Sequence, residues 1–202
     1  MIRILLIALC LFAIIGAAAA QQPPASSAKP DMSGQPPSQP PADNPGASMG
    51  ERSGAAALLN VTPSTDEFVK DVATSDLFEI AESRLAASQG GPQSKKFATR
   101  MLADHQKTTT ELTALLSSAN VGTTPPTDLD SAHQAKIDQL KQIQGEDFDK
   151  RYGADQITAH KDAVSLFQRY AKGGDNKALK EWAAKTLPTL QSHLKMAESL
   201  PH

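Results

Sequence analysis

The stretch SAHQAKIDQLKQIQGEDFDKRYGADQITAHKDAVSLFQRYAK, residues 131–172, decides the fold. Its apolar residues recur at helical spacing from Ser131 to Lys172, yet one helix of that length would run ~63 Å at 1.5 Å per residue. The other helices predicted in this chain are only ~37–40 Å by the same rule. Gly145, followed by the acidic pair Glu146-Asp147, is the natural break, because glycine interrupts a helix and acidic residues suit a helix start. Splitting there predicts a short helix, Ser131 to Gln144, and a long one, Glu146 to Lys172.

Working outward, three more long helices appear. Ser64 or Thr65 can cap the first, with Asp66 and Glu67 in its first turn. Its inner stripe runs Phe68, Val72, Glu79 and Ala86, and Gly90-Gly91-Pro92 stops it. The second runs from about Gln93 to Ala119 with Phe97, Met101, Leu112, Leu115 and Leu116 inward; Asn120 and Gly122 end it. After Gly173-Gly174, Asp175 or Asn176 caps the last helix, whose seam reads Leu179, Trp182, Thr186, His193, Ala197 and Leu200. No segment alternates with the period of a strand. The expected fold is all-α: a ferritin-like four-helix bundle with a short extra connector helix, filling residues 64–200. Whether the connector crosses the bundle, as ferritin-like order requires, or lies at one end is not legible in the sequence.

The first 63 residues read differently. Met1-Ile2-Arg3, an apolar run from Ile4 to Ala20 and the small residues Ala17 to Ala20 before Gln21 fit a secretory signal peptide, residues 1–20. A retained anchor is the competing reading, but the run falls short of the ~20 residues that span a bilayer comfortably. Residues 21–63 form a Pro/Ser/Gln-rich segment, expected to be a disordered linker, with eight of the 14 prolines between Gln21 and Pro45. Cys10 is the only cysteine and would leave with the signal, so the exported chain has no disulfide and no thiolate ligand. Loss of Arg3 leaves 19 basic against 22 acidic residues, net −3, with the basic ones scattered. That balance excludes a nucleic-acid footprint. The expected location is the periplasm, with peripheral contact to the envelope as the one association suggested.

Four titratable residues fall on inner faces, one per long helix: Glu79, His105, His160 and His193. His105 follows Met101 by four; His160 stands in the series Tyr152, Gln156, His160, Val164, Phe167; His193 lies between Leu190 and Ala197. Burying such groups is costly unless they are paired or ligated. Each alone reads as a hydrogen-bonded core residue; together on four helices they also read as ligands of a transition metal, Zn, Cu or Fe. Measured from the glycine turns, their depths differ by ~6 Å for Glu79 against His105 and ~8 Å for His160 against His193. Asp76 matches His105 in depth better than Glu79 does. The Glu-x-x-His motif of di-iron bundles is absent; Asp130-x-x-His133 looks like a helix cap. Tyr152 should find a buried partner for its hydroxyl, and Asp104 and Asp149 are expected as structural acceptors near the histidines. No nucleophile–base pair, phosphate loop or zinc-protease motif appears, so an enzymatic role is not indicated and no catalytic residue is assigned.

Several of these residues carry a family resemblance. Phe68…Glu79, Lys96-Phe97-Ala98…Met101…Asp104-His105, Gly145-Glu146-Asp147-Phe148-Asp149…Tyr152…His160 and Leu187-Pro188-Thr189-Leu190…His193-Leu194 together resemble the bacterial domain of unknown function 4142 family. The resemblance covers about residues 64 to 200. It implies an exported ferritin-like bundle, often labelled an outer-membrane or periplasmic protein, and supplies no reaction. An all-helical bundle cannot be an outer-membrane barrel, so a periplasmic or peripherally attached protein is the better physical reading. Thr108 and Thr109 stand where the family commonly has Asn after the Asp-His pair. Two functions remain: a non-enzymatic helical bundle with envelope or stress-related binding, its histidines acting as polar locks, and alternatively a transition-metal-binding ferritin-like protein.

Overall fold

A computed structural model describes residues 61–202, and the expected signal peptide and most of the expected linker lie outside the described residues. The described chain is all-α: α1 (Thr65–Gln89), α2 (Pro92–Ser118), the short α3 (Ser131–Lys141), α4 (Gly145–Gly173) and α5 (Lys177–Ala197). None of these helices is long and apolar enough to cross a membrane.

Local chemistry sets each boundary. Ser64 and Glu67 form a reciprocal capping box at the start of α1: the Ser64 backbone N–H donates to Glu67 Oε2 at 2.8 Å, and the Glu67 N–H donates to Ser64 Oγ at 3.3 Å. Pro92 opens α2 at a position where its missing N–H costs nothing. Asp130 caps α3, accepting from the His133 N–H and from His133 Nδ1, both at 2.8 Å, as its spacing predicted. Three residues earlier than expected, α3 ends at Lys141. Gly145 then adopts φ +63°, a left-handed conformation that a side chain would disfavour, and α4 begins. The Asn176 side chain caps α5, which continues through Pro188 to Ala197.

Two apolar clusters fix the helix directions. One joins Phe68 at the start of α1 to Leu112 and Leu116 late in α2, Phe167 and Tyr170 late in α4, and Leu179 and Trp182 early in α5. The Phe68 ring stacks on Tyr170 at 3.9 Å and meets Phe167 edge-on at 5.2 Å. The other joins Ala86 late in α1 to Phe97 and Met101 early in α2, Phe148 and Tyr152 early in α4, and Ala197 in α5. Thus α1 and α5 run one way and α2 and α4 the other.

Since α2 and α4 are parallel, the connection between them must travel the length of the bundle. That answers the question the sequence left open: the connector crosses. α3 lies on the outside of α1 and α4, where Ile137 packs with Phe78 and Ala159, and Leu140 reaches the second cluster. Two antiparallel hairpins joined by a long crossover are the ferritin-like order. At the end of this bundle the chain folds back on α4, where a Cβ on Gly153 would stand 1.9 Å from the Pro201 carbonyl oxygen; only glycine fits there.

Candidate metal centre

Between the two apolar clusters lies a polar layer, with Asp76, Glu79, Glu82, His105, Gln156, His160 and His193 all buried. The helix geometry brings its residues to one level. Glu79 lies 10 residues before Gln89 and His105 13 after Pro92; His160 lies 13 before Gly173 and His193 16 after Lys177. Each pair is therefore offset by only three residues, ~4.5 Å of rise. Side chains lean toward the N-terminus of their own helix, and in an antiparallel hairpin those leanings are opposed. In both hairpins the shallower residue leans inward and the deeper one outward, so each pair closes. The larger offsets expected from the turns shrink for this reason.

The result is a knot of three imidazoles. Their ring centroids are 5.7 Å apart for His105–His160, 5.7 Å for His105–His193 and 5.4 Å for His160–His193. One ring nitrogen from each lies within 4.8 Å of the others. Glu79, fully buried, faces this knot: Oε2 stands 3.8 Å from His105 Nε2 and Oε1 3.5 Å from His160 Nδ1.

Each of the three imidazoles is held by one of its nitrogens. His105 Nδ1 is 2.9 Å from Asp76 Oδ1, and Thr109 Oγ1 donates to Asp76 Oδ2 at 3.0 Å. Thr109 thereby helps to orient the carboxylate that orients His105. His193 Nε2 is 2.8 Å from Asp104 Oδ2, a carboxylate also held by Arg100. His160 Nδ1 donates to the Gln156 carbonyl at 2.9 Å, since a carbonyl can only accept. The remaining atoms, His105 Nε2, His160 Nε2 and His193 Nδ1, have no hydrogen-bond partner, and neither has either oxygen of Glu79.

Burial and charge divide the three rings. Burial opposes charge on His105, but Glu79 and then Asp76 outweigh it and lift the imidazole to about 9. Burial together with the His105 charge pushes His160 down to about 3. His193 falls to about 4 through burial and the two neighbouring imidazoles, against the pull of Asp104. Burial raises the carboxyls of Glu79 and Asp76. One ring is thus held as a cation beside carboxylates, and two are held as neutral donors.

Neighbouring expectations met different fates. Tyr152 has its partner, with its hydroxyl 3.2 Å from Ser83 Oγ. Asp104 is the acceptor expected near a histidine. Asp149 is not: its carboxylate accepts the Gly91 N–H at 2.9 and 3.2 Å, tying the α1–α2 turn to α4 far from the imidazoles. Glu82 and Gln156 were not singled out in the sequence. Their signal was there, because Glu82 follows Glu79 by three and Gln156 precedes His160 by four on the same faces.

Fold and site together define a class: a ferritin-like four-helix bundle whose core is a buried histidine–carboxylate cluster. The chain belongs to the family described as domain of unknown function (DUF4142), which matches residues 50–200. No curated protein and no solved structure matches it.

Proposed function

We propose that this protein binds a transition-metal ion in its bundle core, with His105, His160, His193 and Glu79 as the ligand set. The observation that carries the reading is the division of labour within each imidazole. One nitrogen is committed to a hydrogen-bond partner and the other is buried and unpartnered, which is how metal-ligating histidines are supported. A polar lock would satisfy its buried atoms; here five buried atoms in the cluster lack a partner, which weighs against that reading.

The donor set favours Zn, Cu or Fe over Mg or Ca, because imidazole nitrogen suits the later first-row ions. With Zn–N bonds of ~2.05 Å in a tetrahedron, nitrogens lie roughly 3.4 Å apart, so the widest pair would close by roughly 0.7 Å per ring. Bound in this core, the ion would supply a Lewis acid or, if copper or iron, a redox couple. Asp76, Asp104 and the Gln156 carbonyl hold the rings, and the apolar clusters on both sides limit water. A single ion per histidine cluster suits buffering or carriage better than bulk storage.

The same proposal places the protein in the periplasm, supported by the apolar run Ile4–Ala20 and the small residues before Gln21. An envelope or stress-related role would then be carried out through the ion. The test is uptake by chelator-stripped protein, followed by elemental analysis and titration calorimetry with Zn2+, Cu2+ and Fe2+. One Zn2+ per chain at the histidines is expected, with Cu2+ tighter than Zn2+ as the general affinity order requires. No stoichiometric uptake of any of the three at micromolar concentrations rejects the reading.

A further inference from the structure

We propose that Glu82, Gln156 and Glu79 form a second, oxygen-donor subsite beside the histidines, which takes a hard divalent cation such as Mn2+. The inference rests on the metal-binding reading above and extends it to a two-ion centre bridged by Glu79.

Glu82 lies one turn beyond Glu79 on α1, and both are fully buried. Opposite them on α4, the fully buried Gln156 lies one turn before His160. Gln156 Nε2 donates to Glu82 Oε2 at 2.9 Å. The same amide stands close enough to Glu79 to favour its charged form, without making a well-formed hydrogen bond to it. The amide nitrogen therefore lies between the two carboxylates, and turning the amide over would present its oxygen to the same space. Glu82 Oε1, Gln156 Oε1 and both Glu79 oxygens are buried with no hydrogen-bond partner.

The chemistry of these atoms differs from that of the histidine knot. They are all oxygens, two carboxylates and one neutral amide, with a combined charge of −2. Such a set matches a hard divalent ion and has nothing to attract a soft one. Glu79 Oε2 stands 3.8 Å from His105 Nε2 and Oε1 3.5 Å from His160 Nδ1, so a bridging role requires one oxygen to turn from its histidine to the Glu82 side. Glu79 can then serve the imidazole site with one oxygen and the Glu82 side with the other.

Charge points the same way. Asp76, Glu79 and Glu82 are three buried carboxylates, and in the cluster His105 is the imidazole held as a cation. Asp155, which adds to the negative field at Glu82, is already paired with Arg151 at 2.6 Å. Among the described residues, Lys136 on the crossover helix is a cation that bears on Glu82. An ion among the histidines answers Glu79 and leaves Glu82 with Lys136 set against its charge and that of Asp155.

The test uses the purified full chain, first loaded with one equivalent of Zn2+ and then titrated with Mn2+. Bound Mn2+ is read by loss of the free-ion electron paramagnetic resonance signal and by elemental analysis after desalting. One Mn2+ per Zn2+-loaded chain is expected at about 100 μM Mn2+. Glu82→Gln is expected to keep its Zn2+ and to bind Mn2+ at least tenfold more weakly. Zn2+-loaded wild type that takes up no Mn2+ at that concentration overturns the proposal, as does Glu82→Gln that binds Mn2+ like wild type. If Glu82→Gln fails to fold, the wild-type stoichiometry alone decides. Absence of Zn2+ uptake in the first step sinks the histidine-site reading itself and is seen before Mn2+ is added.

Discussion

His160→Leu is expected to bind Zn2+ at least 100-fold more weakly than wild type while its metal-free form stays as stable, within about 1 kcal/mol. The loss of affinity follows from the ligand count. A four-ligand zinc site is worth about 12 kcal/mol, so one ligand carries roughly 3 kcal/mol, a factor of more than 100. The near-neutral stability follows from what the imidazole does without an ion. His160 is fully buried, holds one hydrogen bond within its own helix, and leaves Nε2 unpartnered. Replacing such a group with an apolar one of similar size removes an unsatisfied polar atom along with one bond. A polar lock predicts the reverse, a loss of about 1–3 kcal/mol on removing a satisfied buried group. Urea unfolding of the chelator-treated proteins, beside Zn2+ titrations, separates the two.

The second large effect is the pH dependence of binding. His105 must be neutral to ligate, yet Glu79 and Asp76 hold its proton to about 9. Its folded value lies above the ordinary 6.5, so below pH 9 an incoming ion must displace that proton. Apparent Zn2+ affinity should therefore rise about tenfold per pH unit from pH 6.5 to 8.5, with about one proton released per ion. His160 and His193 add nothing to this slope, since both remain neutral throughout that window. Calorimetry in buffers of different ionisation enthalpy measures the proton count. A flat affinity over the window, with no proton released, would show that His105 is not a ligand.

Most of the bundle was legible because its punctuation is strong. Ser64, the two glycine pairs, Pro92, Gly145 and Asn176 each act on the local backbone, and the helix ends fall within about three residues of where those signals place them. The crossover was not legible, because a long connection with helical spacing fits either route. Only the pairing of Phe68 with Tyr170 and Trp182, and of Phe97 with Tyr152, reveals that α2 and α4 are parallel.

The site was half legible. Periodicity found Glu79, His105, His160 and His193 and put each on an inner face, and depth matching paired Asp76 with His105. What it missed is angular. Asp104 and His105 are neighbours in sequence but about 100° apart around α2, so one turns to His193 on α5 while the other turns to Asp76 on α1. Glu82 and Gln156 share stripes with recognised residues, yet polar residues on a mostly apolar face declare a purpose only once their neighbours across the bundle are known.

The central claim is that three imidazoles and one carboxylate converge on a single ion. X-ray absorption at the zinc edge of the Zn2+-loaded chain tests it most directly. Three imidazole nitrogens at about 2.0–2.1 Å and one carboxylate oxygen at a similar distance are predicted. A first shell made of oxygen alone, or one containing fewer than two imidazoles, would contradict the account.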